Sequence, residues 1–200
     1  KKLGGVSSIK VIPDRIEAGT FLIAVAATGG EVLLKNVEPK HLESVISLLK
    51  ESNIDIKVID EDIQVRSDGL NINSSNMETN EYPGFPTDLQ AQWMLLMCLA
   101  TKGSTIKENI YFDRFTHILE LNRLGCDISL KDGTASIKGN TKLIGANVMS
   151  TDIRASAALI IAALCAEGST TISRVYHIDR GYDKIEEKLS KIGAKITRKK

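Results

Sequence analysis

The chain has 200 residues, of which 42% are hydrophobic and 26% charged, and its 26 basic and 25 acidic residues leave a formal net charge of +1. This composition is typical of a folded domain with a substantial core and excludes an intrinsically disordered chain. The balanced charge, without a long basic block, favours neither nucleic acid nor a membrane surface as a partner.

One pattern occurs three times along the chain, and internal repeats of this kind indicate the architecture. Each copy has an aspartate, a helix of small and aliphatic residues and a glycine stop, as in DRIEAGTFLIAVAATGG from Asp14. The other copies read DLQAQWMLLMCLATKG from Asp88 and DIRASAALIIAALCAEG from Asp152. Glycine is predicted to end each helix, because a helix C-cap favours a residue that adopts positive φ. The glycines concerned are Gly29, Gly30, Gly103 and Gly168.

A second helix follows a short β-like run in each copy, and its pattern is amphipathic, as in YDKIEEKLSKI. This helix is predicted to lie on the surface, whereas the first helix carries almost no charge after its opening turn and should be buried on all sides. The residues predicted to end the three amphipathic helices are Asn53, Gly125 and Gly193. The residues predicted to lie in the next strand are Ile56, Ile128 and Ile196.

Alternating segments predict the remaining strands. The first two copies continue into IKVIDEDIQVRS and DISLKDGTASIKG, and SSIKVIPD is predicted to supply an opening strand for the first copy. The unit is therefore βαβαββ, with copies at approximately residues 8–78, 79–140 and 141–200, and the third lacks its last strands. Because a missing strand pair leaves an exposed sheet edge, we expect this chain to be part of a longer one.

These elements predict a fold of the α/β (α+β) class, formed as a single domain over residues 1–200 with pseudo-threefold symmetry. Three buried helices would be surrounded by outer helices and mixed sheets. The longest apolar run, residues 155–166, is too short to span a bilayer, and no secretory signal pattern opens the chain, so we expect a cytoplasmic protein.

The three cysteines, Cys98, Cys126 and Cys165, lie far apart in hydrophobic patterns, without a CxxC pair or clustered histidines. They are predicted to be reduced core residues, and no metal site is expected. The separated histidines, His41, His117 and His177, favour structural roles. No Walker loop, GxSxG elbow or dinucleotide-binding glycine motif is present in the sequence.

The aspartates that begin the three buried helices allow two interpretations. Each could simply cap its helix by accepting backbone N–H bonds. The repeat also gathers three helix N-termini at one end of the domain, where an anion could bind. Arginine offers donors that match phosphate or carboxylate, although Asp179 and Arg180 could instead pair with each other. The arginines near helix starts or in the loop before a helix are Arg15, Arg114, Arg154 and Arg180.

Five motifs, in order along the chain, closely resemble the UDP-N-acetylglucosamine 1-carboxyvinyltransferase family of enolpyruvyl transferases. They are IPDRIEAGTFLIAVAATGG, YPGFPTDLQAQ, FDRFTHILELNRLG, TDIRASAALIIAALCAEG and YHIDRGYDKIEEKLSKIGA. The resemblance covers essentially the whole chain. It implies transfer of the enolpyruvyl group of phosphoenolpyruvate to the 3-hydroxyl of UDP-N-acetylglucosamine, at the first committed step of peptidoglycan synthesis, with no cofactor or metal.

The same resemblance implies roles for individual residues. Asp88 in FPTDLQAQ matches the carboxylate that contacts the sugar 3-hydroxyl and is proposed as its general base. Ile110 in KENIYFDRF matches a residue that contacts the nucleotide sugar. Arg180 in HIDRGY matches an arginine that binds phosphoenolpyruvate, and Arg114 and Arg154 match active-site arginines.

Enzymes of this family close two domains over their substrates, and this chain resembles the domain formed by the C-terminal half. The N-terminal-half domain, with its catalytic cysteine loop and lysine, has no counterpart in the 200 residues, so we expect the isolated chain to be inactive. Two alternatives stay open: a 3-phosphoshikimate 1-carboxyvinyltransferase-type enzyme, and a non-catalytic binding module of the same fold.

Overall fold

The computed structural model describes residues 4–5 and 8–199, and in these residues helices and short sheets alternate along the chain. The α-helices are α1 (Arg15–Thr28), α2 (Glu43–Glu51), α3 (Gln90–Leu99), α4 (His117–Arg123), α5 (Ile153–Cys165) and α6 (Ile185–Lys191). Short 3₁₀ helices cover Pro39–Leu42, Thr87–Leu89 and Val175–Arg180. The strands are β1 (Gly30–Leu34), β2 (Asp55–Ile59), β3 (Asp62–Ser67), β4 (Met77–Glu78), β5 (Ser104–Lys107), β6 (Ile128–Lys131), β7 (Thr134–Ile137), β8 (Asn147–Met149) and β9 (Thr171–Ser173).

The three apolar helices, α1, α3 and α5, form the centre of the molecule and contact one another in all three pairings. Every residue of α3 from Gln90 to Cys98 is buried, as the absence of charge in this helix predicts. Helix α1 packs closely against the residue that precedes α3, since a Cβ atom on Gly19 would lie 2.4 Å from Leu89 Cδ1. Helices α2, α4 and α6 each bury one face, so the predicted division into inner and outer helices is confirmed.

Within the described residues, three sheets lie next to the helices. Strands β1, β3 and β2 form an antiparallel sheet in that order, and β4, β5, β7 and β6 form a mixed sheet in which β4 is parallel to β5. Strands β8 and β9 form a parallel pair. The second copy of the repeat thus shows the complete order β4–α3–β5–α4–β6–β7, as predicted.

Two predicted strands are absent from the described residues. Ile9 and Val11 are exposed and residues 8–13 pair with no strand, whereas the matching segment of the second copy, β4, is held by β5. Ile196 also lies outside any strand, although Ile56 and Ile128 are in β2 and β6 as predicted. An extended segment becomes a strand only through hydrogen bonds to a neighbour, and these two segments lack one in the described part of the chain. Ser7 and Lys200 lie outside the described residues.

The predicted helix ends are confirmed for the outer helices and only partly for the inner ones. Asn53, Gly125 and Gly193 all adopt positive φ, at 69°, 102° and 106°. Gly29 is the C-cap of α1 with φ of 77°. The other predicted inner stops are wrong, because α3 and α5 end at alanine C-caps before Gly103 and Gly168.

Candidate active site at the N-termini of the buried helices

Two of the three repeated aspartates are helix caps. Asp14 Oδ1 accepts hydrogen bonds from the backbone N–H groups of Ile16 and Glu17 at 2.8 and 3.1 Å. Asp152 Oδ1 accepts from the N–H groups of Arg154 and Ala155 at 2.8 and 2.9 Å. These bonds satisfy N–H groups that an α-helix leaves unpaired at its start. The capping interpretation therefore holds for the first and third copies.

Asp88 does not cap its helix. It lies within the 3₁₀ helix Thr87–Leu89, whose N-cap position is taken by Pro86, and α3 begins only at Gln90. Its Oδ1 atom lies 2.8 Å from Arg114 Nη1 and 3.3 Å from Arg154 Nε. The carboxylate thus caps no helix N-terminus and lies between two guanidinium groups. The capping interpretation, which repeat symmetry favoured, therefore does not hold for the second copy.

The three charged side chains differ in exposure. The Asp88 side chain is 37% exposed, whereas those of Arg114 and Arg154 are 19% and 20% exposed. Each arginine also packs on an aromatic ring, because its guanidinium carbon lies 5.3 Å from the Tyr111 ring centre for Arg114 and 5.7 Å from that of Tyr182 for Arg154. Cation–π packing of this kind orients a guanidinium group. A small molecule can therefore reach the carboxylate while the arginines stay anchored.

The loop between β5 and α4 brings Ile110 to the same part of the molecule. Ile110 is 41% exposed, and its backbone N–H donates to Glu108 Oε1 at 2.9 Å. Glu108 is buried and also accepts from the Thr87 hydroxyl at 3.0 Å, next to Asp88. Sequence reasoning missed Glu108, because one glutamate after a short strand carries no signal of burial.

Arg180 forms no hydrogen bond or ion pair with the other candidate residues in the part of the chain that the structure describes, although its neighbour Gly181 lies next to Arg154. It is exposed in the 3₁₀ helix Val175–Arg180 and has no ion pair within the described residues. The alternative pairing of Asp179 with Arg180 does not form either, since Asp179 pairs with Arg198 at 2.6 Å. Arg15, another arginine at a helix start, lies over the ring of Tyr82 at 5.2 Å instead of near Asp88.

A buried polar cluster lies behind Arg154 and joins all three copies of the repeat. The hydroxyl groups of Thr20 and Tyr182 are 2.8 Å apart, and Gln92 Nε2 donates to them at 3.1 and 3.3 Å. Hydrogen-bond partners for buried polar groups avoid the cost of desolvating them unpaired. This cluster fixes the ring on which Arg154 packs. Sequence reasoning missed it, because its members are far apart along the chain.

His117, at the start of α4, is buried near the charged groups of Arg114 and Asp152. The pKa of its imidazole is lowered from 6.5 to about 4, mainly by burial; the charge of Asp152 opposes this shift and that of Arg114 adds to it. Neither ring nitrogen has a hydrogen-bond partner among the described residues. His117 is therefore neutral near pH 7 and serves as a packed core residue, as expected for an isolated histidine.

The site offers a carboxylate acceptor beside two cationic donors. Such an arrangement suits a substrate that has both a hydroxyl group to deprotonate and a phosphate or carboxylate to bind. In the described residues no group of three or more histidine, cysteine or acidic side chains could hold a metal ion. No helix in that part of the chain is long and apolar enough to cross a membrane. Cys98 and Cys126 are buried free thiols and Cys165 is half-buried.

Comparison with known proteins points to one group. A model of the family described as EPSP synthase (3-phosphoshikimate 1-carboxyvinyltransferase) matches residues 2–189. The chain is 51% identical, over 99% of its length, to 47% of the UDP-N-acetylglucosamine 1-carboxyvinyltransferase of Geotalea uraniireducens. It is 50% identical, again over 99% of its length, to 46% of the protein of the same name from Bartonella henselae. The chain thus spans about half the length of the curated relatives it matches.

Solved structures agree on the fold. The enolpyruvyl transferase NikO from Streptomyces tendae superposes with a TM-score of 0.86 and 26% identity, over 94% of this chain and 45% of that one. An EPSP synthase from Acinetobacter baumannii gives a TM-score of 0.70 at 14% identity, over 96% of this chain and 44% of that one. The second likeness shows the fold alone.

Proposed function

Because the chain belongs to the EPSP synthase (3-phosphoshikimate 1-carboxyvinyltransferase) family, we propose that it is one domain of an enolpyruvyl transferase. The longer protein moves the enolpyruvyl group of phosphoenolpyruvate to the 3-hydroxyl of UDP-N-acetylglucosamine and releases phosphate. The observation that carries this proposal is the Asp88 carboxylate, which caps no helix and lies between Arg114 and Arg154. Relatives of about 50% identity that bear the name of this activity support it.

Asp88 is the general base in this proposal. It accepts the proton of the sugar 3-hydroxyl while that oxygen forms a bond to C2 of the enolpyruvyl group, and C3 gains a proton from an acid. A hydroxyl group is a poor nucleophile unless its proton is accepted as the new bond forms. The resulting tetrahedral intermediate then loses phosphate from C2 and a proton from C3, which restores the double bond in the product.

Arg114 and Arg154 are the anion-binding groups of the site. Their positive charges lie within 3.3 Å of Asp88 and are available to the phosphate and carboxylate of phosphoenolpyruvate. Arg180 contributes further along the same substrate, after the site has closed around it. Ile110 contacts the nucleotide sugar from the loop that follows β5.

The rest of the longer protein supplies a second domain, with the acid and the remaining phosphate ligands. Support comes from the relatives, of whose length this chain spans about half. In the third copy of the repeat, α5 is only half-buried from Ala163 to Cys165. A groove of about 330 Å³ lies there, between Leu164, Ile172 and Ile185 among others. Segments outside this chain cover the groove in the complete enzyme. The protein works in the cytoplasm, where its free thiols stay reduced, and serves peptidoglycan synthesis.

Calorimetry and a phosphate-release assay on the full-length protein test the proposal. We expect heat of binding with UDP-N-acetylglucosamine, none with shikimate 3-phosphate, and phosphate release only when phosphoenolpyruvate is added to the nucleotide sugar. Binding of shikimate 3-phosphate instead would identify the shikimate-type enzyme. Heat with neither ligand would identify a non-catalytic module. The isolated 200-residue chain should release no phosphate.

A further inference from the structure

Glu108 is the most completely satisfied buried carboxylate near the site. It follows β5, is 1% exposed, and accepts four hydrogen bonds. Its Oε1 atom accepts from the Thr79 hydroxyl at 2.6 Å and from the N–H groups of Ile110 and Tyr111 at 2.9 and 3.0 Å. Its Oε2 atom accepts from the Thr87 hydroxyl at 3.0 Å. Burying such a group is costly unless it is fully hydrogen-bonded.

All four partners act as donors. The Thr79 hydroxyl oxygen itself accepts from the N–H of Asn109 at 2.9 Å, which leaves its proton for Glu108. A carboxylate that only accepts hydrogen bonds cannot be replaced by an amide without loss, because the NH₂ group of glutamine cannot accept. Both terminal atoms of the side chain at position 108 must therefore be hydrogen-bond acceptors.

The two oxygen atoms face different parts of the candidate site. Oε2 holds Thr87, the residue immediately before Asp88. Oε1 holds the start of the loop that carries Ile110 and continues to Arg114. The buried side chain of Glu108 thus links the turn that carries Asp88 to the loop that carries Ile110. Arg114 provides a second link between the same two segments, since its Nη1 atom donates to Asp88 Oδ1 at 2.8 Å.

We propose that Glu108 is a positioning residue, which fixes Asp88 relative to the Ile110 loop and so sets the distance between the general base and the bound sugar. This inference rests on the proposed function. The geometry of catalytic groups matters because a displacement of about 1 Å can cost about a hundredfold in rate. Glu108 is only 1% exposed and therefore offers almost no surface to a substrate.

The two sides of the carboxylate predict different kinetic effects in the full-length enzyme. Thr87→Val removes only the bond to Oε2, so kcat should fall about tenfold, the effect of one hydrogen bond, while KM for UDP-N-acetylglucosamine changes less than about twofold. Glu108→Gln disturbs the loop as well, so KM for the nucleotide sugar should rise about tenfold in addition to the loss in kcat. Thr87→Ser keeps the hydroxyl and should restore kcat.

Glu120→Gln is the matched control. Glu120, on the outer helix α4, is also a buried glutamate, 5% exposed, but it accepts hydrogen bonds from Arg123 of the same helix and from the N–H of Met149 in β8. Its substitution should lower the melting temperature and leave kcat and KM unchanged. The comparison separates a loss of stability from a loss of positioning.

The inference is overturned if Thr87→Val and Glu108→Gln lower only the melting temperature, as Glu120→Gln does, while the wild-type protein turns over normally. In that case the proposed function stands. If the wild-type protein neither binds UDP-N-acetylglucosamine nor releases phosphate, the proposed function fails and the positioning role fails with it. If Glu108→Gln does not fold, the pair Thr87→Val and Thr87→Ser decides, because loss of kcat in the first and recovery in the second supports the inference and equal rates refute it.

Discussion

Arg154 Nε lies 3.3 Å from Asp88 Oδ1, so the start of α5 and the turn before α3 meet through an ion pair. The two residues belong to different copies of the repeat, and their contact brings two helix N-termini together. Asp152, two residues before Arg154, caps α5 by accepting backbone N–H bonds, whereas Asp88 accepts no capping hydrogen bond. Of the three repeated aspartates, Asp88 is therefore the one that caps no helix, as its proposed role of general base requires.

Asp88→Asn in the full-length enzyme should lower kcat by at least about a hundredfold, because a general base contributes roughly 10² to 10⁴ in rate. The substitution removes no helix cap, so the melting temperature should fall only by the small amount that the lost ion pairs with Arg114 and Arg154 contribute. Steady-state kinetics and thermal unfolding measure the two effects. Asp14→Asn is the control, since asparagine caps a helix about as well as aspartate and kcat should stay unchanged. Near-normal turnover of Asp88→Asn would remove the base from the mechanism.

Arg180→Ala should raise KM for phosphoenolpyruvate and leave stability nearly unchanged. Arg180 is exposed and makes no ion pair in the described residues, so the fold loses little when its side chain is removed. Initial-rate kinetics with varied phosphoenolpyruvate give the answer. Arg66→Ala is the control, because Arg66 is an exposed arginine on β3, in the sheet formed by β1, β2 and β3. Unchanged KM and kcat for Arg180→Ala would exclude Arg180 from the site.

His117 should make the protein less stable as the pH falls from 6.5 towards 4. Its pKa is lowered to about 4 in the folded protein from 6.5, so between these values only the unfolded chain binds the proton. Each pKa unit is worth about 1.4 kcal/mol, and the free energy of unfolding should fall by about 3 kcal/mol over the window. Stability from this group is fully present above pH 6.5.

His117→Gln provides the measurement, because glutamine does not titrate. Urea unfolding midpoints at several pH values between 7 and 4.5 should decline less steeply for the variant than for the wild-type protein. Other groups add their own pH dependence, which both proteins share. Parallel declines would show that His117 is not held neutral by burial.

Cys165 should react very slowly with iodoacetamide in the native protein. Burial raises the pKa of its thiol from 9.0 to about 12, which lowers the thiolate fraction near pH 8 about a thousandfold. Peptide mapping by mass spectrometry after timed labelling measures the rate, and the urea-unfolded protein is the reference. Equal rates in the native and unfolded protein would mean that the thiol is more accessible than the structure indicates.

Sequence patterns predicted the local features of this chain well. Residues a few positions apart were enough to predict the burial of α3, the caps Asp14 and Asp152, and the positive φ angles of Asn53 and Gly125. Predictions that needed a distant partner were weaker. Ile196 was expected in a strand and forms none, because strand formation depends on a neighbour that the local sequence does not specify.

The candidate site shows the same division. The motif resemblance singled out Asp88 and Arg114, and the structure places them 2.8 Å apart. Neither repeat symmetry nor resemblance indicated that Glu108 links their segments. A buried carboxylate looks like any other glutamate in the sequence until its donors are known.

By itself, the sequence determined where the helices lie, the caps at Asp14 and Asp152 and which helix faces are buried, because helix periodicity and capping act over one or two turns. Only the tertiary structure decided which aspartate is left free for chemistry and what surrounds it. The Thr20 and Tyr182 hydroxyls, for example, meet at 2.8 Å across a separation of 162 residues. Contacts of that range depend on how the three buried helices pack, and close packing of whole side chains is a property that no short segment contains.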